Sequence, residues 1–129
     1  MTSKILFWFG TNYTHFCLSH SLQKKIDSKM YAIIDVTENP KSFFNNQKLV
    51  DFEKIWFFHD HIQKKNQTPD MDYKEKFEKK YKIDLWKLVQ NERIFLYYNF
   101  HKFSQKEILN ILEQECRFFE NVLEEIKPD

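Results

Sequence analysis

Three short, largely apolar runs restrict the folds that this chain can adopt. They occupy residues 4–9, 30–34 and 54–58, and Asp35 directly follows the second run. Continuous apolar runs of this length are typical of strands that are buried on both faces of a parallel sheet. Stretches with helical patterning separate the runs, and strands that alternate with helices form βαβ units. The sequence therefore predicts an α/β fold.

The stretch between the first two runs predicts a helix over residues 11–27. Leu18, Leu22 and Ile26 recur there at a spacing of four residues, which aligns them along one apolar face. Residues 42–51, between the second and third runs, have room for one or two helical turns. The first half of the chain is thus expected to consist of three strands joined by helical connections.

The chain after the third run begins with a predicted loop. Residues 63–72 are polar and include Pro69, which disfavours regular structure. Asp72 with Glu75 resembles a capping box. A highly charged helix is therefore expected to begin there and to run toward Tyr81.

Two further segments follow this charged helix. Asp84 is expected to cap a helical stretch over residues 85–91. Residues 94–98 are ambiguous, because the spacing of their apolar side chains fits both a strand and a continued helix. A fourth strand is the favoured interpretation.

The last helix carries the clearest signals in the chain. Ser104 and Glu107 form a capping box at its start. Its predicted apolar face consists of Ile108, Leu112, Phe119, Val122 and Ile126. Residues 127–129 (Lys-Pro-Asp) come next, a pattern that normally leads an α/β chain into another buried strand.

These elements predict a Rossmann-like, open and mostly parallel sheet of about four strands with flanking helices. The whole of residues 1–129 is expected to form one such domain. Because no strand follows the Lys-Pro-Asp pattern, we expect the sheet to lack a final strand. The chain is then expected to be the N-terminal part of a longer protein.

Composition argues against several classes of function. Gly10 is the only glycine, which excludes a Gly-rich phosphate loop and leaves no cofactor implied. The net charge is +1 and only two of the basic residues are Arg, so the positive electrostatic field needed to bind nucleic acid is missing. The aromatic rings among residues 95–103 are therefore expected to pack in a core. Cys17 and Cys116 have no metal-type spacing. No apolar run is long enough for a membrane span or a signal peptide, which predicts a cytoplasmic protein.

Polar residues at the predicted ends of two strands are the candidate site. His59 and His61 flank Asp60 after the third run, where open α/β sheets bind their ligands. Two imidazoles beside a carboxylate suit a general base or a metal, but no third metal ligand is apparent, so no metal is assigned. The competing interpretation is a solvated strand-end loop.

The loop after the first run supplies the other candidates. Thr11, Asn12 and His15 offer a hydroxyl, an amide and an imidazole, which suit recognition of a sugar or another polar ligand by hydrogen bonds. The alternative is a turn in which Thr11 or Asn12 caps the following helix.

The second half of the chain also resembles a known family. The residues that carry the resemblance are Glu78, Tyr81, Leu85-Trp86, Glu92-Arg93, the helix start at Ser104–Glu107, Phe118-Phe119-Glu120 and Lys127-Pro128-Asp129. In this pattern the chain is similar to the N-terminal region of surface- and capsule-polysaccharide biosynthesis proteins with a glycosyltransferase (GT-B-like) architecture. The opening strand, loop and helix also fit the first βα unit of that domain.

The resemblance implies a two-domain enzyme whose N-terminal domain mainly holds the saccharide acceptor. The chain would be that acceptor-side domain and would not catalyse transfer alone, because the nucleotide-sugar half is absent from it. No catalytic residue carries over by motif. Two other classes remain open: a stand-alone binding or regulatory module, dimeric through an exposed sheet edge, and a small enzyme using His59 and His61 with a nearby carboxylate or metal.

Overall fold

A computed structural model describes residues 2–37, 39–63, 67–92 and 102–129 of the chain. These residues form two compact units. The sheet unit comprises Met1–His61 with Asn121–Asp129, and the helical unit comprises Ile62–Glu120.

The sheet unit is built on three parallel strands. They are β1 (Ser3–Phe9), β2 (Ser28–Ile34) and β3 (Phe52–Phe57), in the order β1-β2-β3. β2 is central and the most deeply buried, with Met30, Ala32 and Ile34 at most 1% exposed. The predicted α/β fold with an open parallel sheet is confirmed at this level. The predicted fourth strand at residues 94–98 lies outside the described residues.

Aromatic rings make up much of the core beside the sheet. The Phe9 ring contacts the rings of Phe16, Phe44 and Phe52 at centroid distances of 5.8–6.1 Å. Ring pairs at such distances and angles add to the free energy gained from burying their area. This core therefore anchors the helices that follow β1 and β2.

Three helices belong to the sheet unit: α1 (Thr14–Gln23), α2 (Pro40–Asn46) and α3 (Phe58–His61). The prediction for α1 was wrong in both extent and face. Its buried residues are Phe16 and Ser19, whereas Leu18 is 48% exposed and Ile26 lies beyond the helix and is exposed. The Phe16 ring occupies the place in the aromatic core, and of the three predicted residues Leu22 packs against that core, partly buried.

The boundaries of the third strand also differ from the prediction. β3 begins at Phe52 and ends at Phe57, and Phe58 opens the single turn of α3 instead of closing the strand. The Phe58 side chain is buried, with its ring 5.2 Å from that of Trp8. An apolar residue just after a strand thus continues the apolar run without continuing the strand.

The helical unit contains α4 (Met71–Tyr81), α5 (Leu85–Leu88), a 3₁₀ turn (Val89–Asn91) and most of α6 (Gln105–Ile126). The predicted cap of α4 was wrong: Asp70, not Asp72, accepts a hydrogen bond from the Tyr73 amide. The reason is that the helix begins one residue after Asp70, which places Asp72 within its first turn.

The caps of α5 and α6 are confirmed. Asp84 accepts a hydrogen bond from the Lys87 amide. The Ser104 amide donates to Glu107, and the Glu107 amide donates back to the Ser104 hydroxyl. This reciprocal pattern is the capping box that the sequence predicts.

The buried face of α6 agrees closely with the predicted one. Four of the predicted residues are at most 4% exposed: Ile108, Leu112, Val122 and Ile126. Phe119 is only partly buried, while its neighbour Phe118 is buried. Within the described ranges, no helix is both long enough and apolar enough to cross a bilayer.

Glu120 links α4 to α6 within the helical unit. Its carboxylate accepts hydrogen bonds from the hydroxyls of Tyr73 at 2.7 Å and Tyr81 at 3.0 Å, and from Lys80 at 3.0 Å. Burial alone would raise the pKa of Glu120, but these three donors outweigh it and hold the pKa below its usual value. The Tyr73 ring is also covered by the Arg117 guanidinium at 3.8 Å.

Candidate functional site

The carboxyl edge of the parallel sheet carries the candidate site. Because the strands are parallel, the loops that leave their carboxyl ends gather at one edge, where open α/β sheets bind ligands. Gly10 follows β1, Asp35 follows β2 and Phe58 follows β3. The predicted site residues follow two of these strands: Thr11, Asn12 and His15 come after β1, and His59 and His61 come after β3.

Asp35 and His59 form a polar pair between two of the strand ends at this edge. Nε2 of His59 lies 2.8 Å from Oδ1 of Asp35. The Asp35 side chain is 5% exposed and that of His59 is 24% exposed. The carboxylate is therefore almost fully withdrawn from water, whereas the imidazole remains accessible to a ligand.

This pair sets the chemistry that His59 can perform. When the carboxylate is ionised it only accepts hydrogen bonds, and Nε2 of the imidazole then donates the shared hydrogen. In the neutral ring Nδ1 is then the acceptor nitrogen. A carboxylate that orients an imidazole in this way is the arrangement of a general base.

Asp35 is a functional candidate that the sequence patterns alone do not single out. The signal that could have found it is its position, since it is an acidic residue directly after a buried strand. The small-enzyme interpretation called for a carboxylate near His59 and His61, and Asp35 is that carboxylate for His59.

The other two residues of the His-Asp-His segment are placed differently. Asp60 forms an ion pair with Lys41 at 2.6 Å, and both side chains are about half exposed. His61 ends α3 and is exposed. Among the described residues, no three His, Cys, Asp or Glu side chains come together in a group that could hold a metal ion.

The predicted site residues in and after the β1 loop make different kinds of contact. Asn12 Oδ1 accepts hydrogen bonds from the amide and the hydroxyl of Thr14, at 2.9 and 2.6 Å. His15 Nδ1 lies 3.3 Å from the main-chain oxygen of Trp8. Asn12 thus shapes the turn before α1, but neither it nor Thr11 caps the helix, because Tyr13 holds the N-cap position without a side-chain capping bond. Thr11 lines a cavity.

This cavity has a volume of about 250 Å³ and lies at the carboxyl edge. Its lining consists of Gly10, Thr11, Tyr13, Val36, Asn39, Pro40, Phe43 and Phe44. Drug-sized ligands occupy sites of about 300 Å³ and more. The cavity therefore has room for a smaller molecule, of the size of a single sugar ring.

No family model, curated protein or solved structure matches this chain. Its function therefore has to be inferred from the geometry of the carboxyl edge.

Two exposed rings give the cavity its chemical character. Tyr13 is 62% exposed and Phe43 is 43% exposed, and their centroids are 5.8 Å apart at an angle of 68°. Exposed aromatic side chains that line a cavity together offer a ligand an apolar surface. Polar groups of Thr11 and Asn39 line the same cavity.

Asn39, at the N-cap of α2, has an unusual backbone conformation. Its φ of 33° and ψ of 59° are left-handed, a region that Asn tolerates better than most residues. Its side chain makes no capping hydrogen bond to α2, and Pro40 opens the helix in its place. The side-chain amide of Asn39 is therefore not used to cap α2.

The cavity and the Asp35–His59 pair are structurally connected. Val36, which lines the cavity, directly follows Asp35 in the chain. α2 supplies cavity residues and also carries Lys41, whose ion pair with Asp60 ties this helix to α3. The two features therefore share the loops at the carboxyl edge of the sheet.

A larger groove lies at the opposite edge of the sheet. Its volume is about 450 Å³, and it is lined by residues 23–29 together with Asp51 and Glu53. Ile26 is the one apolar residue of this lining. Because small-molecule sites are mostly apolar with a few directed polar groups, the smaller cavity at the carboxyl edge is the better candidate.

Proposed function

We propose that this chain is the acceptor-side N-terminal domain of a glycosyltransferase-like protein of cell-surface polysaccharide biosynthesis. In this proposal the cavity at the carboxyl edge binds one sugar ring of the acceptor. The domain is a Rossmann-like sheet with more strands than the three described. The chain alone is not catalytically complete.

The observation that carries the proposal is the pairing of exposed rings with polar groups in a cavity of sugar size. A pyranose ring has apolar C–H faces and a hydroxyl periphery. Tyr13 and Phe43 offer ring surfaces for the C–H face, and Thr11 and Asn39 offer hydrogen-bonding groups for the hydroxyls. The position at the carboxyl edge of a parallel sheet agrees with this use.

Titration of the chain with sugars tests the proposal. The probes are N-acetylglucosamine, galactose and glucuronic acid, with UDP-glucose as the nucleotide-sugar comparison, and the readout is the amide spectrum of isotope-labelled protein. We expect at least one free sugar to shift the signals of Thr11, Tyr13 and Asn39. Shifts with UDP-glucose that uridine diphosphate alone reproduces would contradict an acceptor-side role.

A pair of variants separates ring stacking from general destabilisation. Tyr13→Ala removes a ring whose described ring contact is Phe43 alone, and is expected to weaken sugar binding about fivefold or more, equivalent to about 1 kcal/mol. Trp86→Ala removes another exposed aromatic ring, from α5 in the helical unit, and is expected to leave binding unchanged. Equal effects of both changes would mean that the cavity is not the site.

A small enzyme is the second candidate, and the Asp35–His59 pair favours it. A buried carboxylate that orients an accessible imidazole can activate water or a hydroxyl group as a nucleophile. The test is hydrolysis of nitrophenyl esters and nitrophenyl glycosides. Turnover that is lost in His59→Gln and kept in His61→Gln would support it, and equal turnover in both variants would exclude a role for the pair.

A further inference from the structure

The cavity at the carboxyl edge has charged residues next to its lining. The lining residues that the structure describes are apolar or carry neutral polar groups. Along the described chain, Asp35 directly precedes the lining residue Val36, and Lys41 directly follows the lining residue Pro40. The electrostatic field that a bound sugar meets therefore depends on how Asp35 and Lys41 are held.

Lys41 is held by groups at the end of β3 and in α3. Its ammonium nitrogen lies 2.6 Å from Oδ2 of Asp60 and 5.6 Å from the centroid of the Phe57 ring. Phe57 is the last residue of β3, and Asp60 belongs to the turn of α3 that follows. Asp60 thus neutralises the cation that directly follows the cavity lining.

Asp35 adds a second carboxylate beside the cavity. Its side chain is 5% exposed, and Oδ1 lies 2.8 Å from Nε2 of His59. A buried charge is screened by water and salt much less than an exposed one. When Asp35 is ionised and the imidazole of His59 is neutral, an anion in the cavity would therefore be repelled by a poorly screened carboxylate.

From these contacts we propose that the cavity selects uncharged sugars and rejects sugars that carry a carboxylate or a phosphate. Asp60 is the positioning residue for this selectivity, because it directs the Lys41 ammonium group to α3 and not to the ligand. The inference rests on the proposed saccharide site and names the class of sugar that this site takes.

The loss of hydration is the physical reason for this selectivity. A carboxylate or phosphate that enters a cavity gives up bound water, and it is stable there only when a cation or several hydrogen bonds replace that water. Thr11 and Asn39 offer neutral donors and acceptors, which suit the hydroxyls of an uncharged sugar. An acidic sugar is therefore expected to bind at least tenfold more weakly than an uncharged sugar of the same shape.

The role of Asp60 predicts a gain of binding when its charge is removed. Asp60→Asn leaves the Lys41 ammonium group without its carboxylate, and the flexible stem of lysine lets that group turn toward an anionic ligand. Both side chains of the ion pair are about half exposed, so the folded chain is expected to tolerate the change. Acidic sugars should then bind at least fivefold more tightly than in the unchanged chain, whereas uncharged sugars keep their affinity.

The test compares sugars in three pairs whose members differ by an anionic group at the sixth carbon. The pairs are glucose with glucuronic acid, galactose with galacturonic acid, and N-acetylglucosamine with its 6-phosphate. Glucuronamide, the uncharged amide of glucuronic acid, controls for shape. Dissociation constants are measured from the amide signals of Thr11, Tyr13 and Asn39 in isotope-labelled protein. Titrations at pH 8 keep ordinary imidazoles neutral.

We expect the uncharged member of at least one pair to bind at least tenfold more tightly than the acidic member, and glucuronamide to bind as glucose does. Acidic members that bind as tightly as their uncharged partners would overturn the inference and leave the saccharide site in place. Signals that respond to none of the sugars would overturn the saccharide site together with the inference.

The variants test the part that Asp60 plays. The gain of acidic-sugar binding in Asp60→Asn is expected to disappear when Lys41→Met is combined with it, because the released cation is then absent. Lys41→Met alone is the matched control and should leave the binding of uncharged sugars unchanged. A gain that persists in the double variant, or no gain in Asp60→Asn, would overturn the assignment of Asp60 as the positioning residue.

Discussion

Asp35 and His59 meet because of the register between β2 and β3. Ile34, the last residue of β2, is paired with Phe57, the last residue of β3. Asp35 therefore lies level with Phe58, and the turn of α3 brings His59 back over the carboxylate at 2.8 Å. The pair depends on both strands ending at the same height of the sheet.

We expect Asp35→Asn to lower the free energy of unfolding by about 1–3 kcal/mol, because a nearly buried, charge-assisted hydrogen bond is replaced by a weaker one. Urea denaturation measures this change, and the ¹⁵N shifts of the His59 ring report the altered partner. Asp60→Asn is the matched control, since its exposed ion pair with Lys41 is expected to contribute less than about 1 kcal/mol. Equal losses in the two variants would contradict the structural role of Asp35.

The strands could be predicted because their signal is local. Residues 30–34 form a continuous apolar run, and the structure places them in the buried central strand. The capping box of Ser104 and Glu107 is local in the same sense. In both cases the structure is determined by residues that are close together in the sequence.

The candidate site could be predicted only in part because its cause is not local. The alternation of strands and helices along the chain predicts the carboxyl edge as the place of the site. The contact between Asp35 and His59 is not predicted, because the two residues are 24 positions apart and meet through the register of their strands. Likewise, the rings of Tyr13 and Phe43 come together only when α1 and α2 pack on the sheet. No periodicity within either segment encodes such a contact.

The orientation of α1 shows the same limit and can be tested. Phe16 is 5% exposed and Leu18 is 48% exposed. Phe16→Ala is expected to cost about 3–5 kcal/mol, since it removes a ring from the packed core, whereas Leu18→Ala is expected to change stability by less than about 0.5 kcal/mol. Chemical denaturation of both variants checks this. A larger loss of stability in Leu18→Ala than in Phe16→Ala would mean that the buried face of α1 is the one that the spacing of Leu18, Leu22 and Ile26 predicts.

Glu120→Gln is expected to weaken the α4–α6 contact by about 1–3 kcal/mol at neutral pH, because three donors lose a charged acceptor. The effect should depend on pH. The pKa of Glu120 is lowered from its ordinary value of 4.5 in the folded state, so the unfolded state binds the proton more readily. Its stabilisation is therefore full above about pH 4.5 and is lost as the pH falls through the lowered folded pKa.

Denaturation curves of both proteins between pH 3 and pH 7 measure this dependence. The difference between them should be constant near neutrality and shrink in acid. Glu124→Gln, an exposed substitution on the same helix, is the control and should produce no such trend. A difference that grows in acid would contradict the lowered pKa of Glu120.

The two cysteines are expected to differ strongly in reactivity. Burial, reinforced by the nearby carboxylates of Glu115 and Glu120, raises the pKa of the Cys116 thiol from 9.0 to about 12. About a thousandfold less thiolate is then present at pH 8, and the thiolate is the reactive form. Cys17 is exposed on α1. Iodoacetamide at pH 8 should therefore modify Cys17 readily and Cys116 very slowly in the folded protein.

Mass spectrometry of the alkylated protein checks this difference, with one modification expected in buffer and two in denaturant. Cys17→Ser is the matched variant and should leave the folded chain almost unlabelled. Because the raised pKa of Cys116 favours the protonated folded state, its contribution to stability is full below about pH 9 and is lost as the pH rises toward 12. Rapid labelling of Cys116 in folded Cys17→Ser would show that α6 exposes the thiol, contrary to its burial on the inner face of the helix.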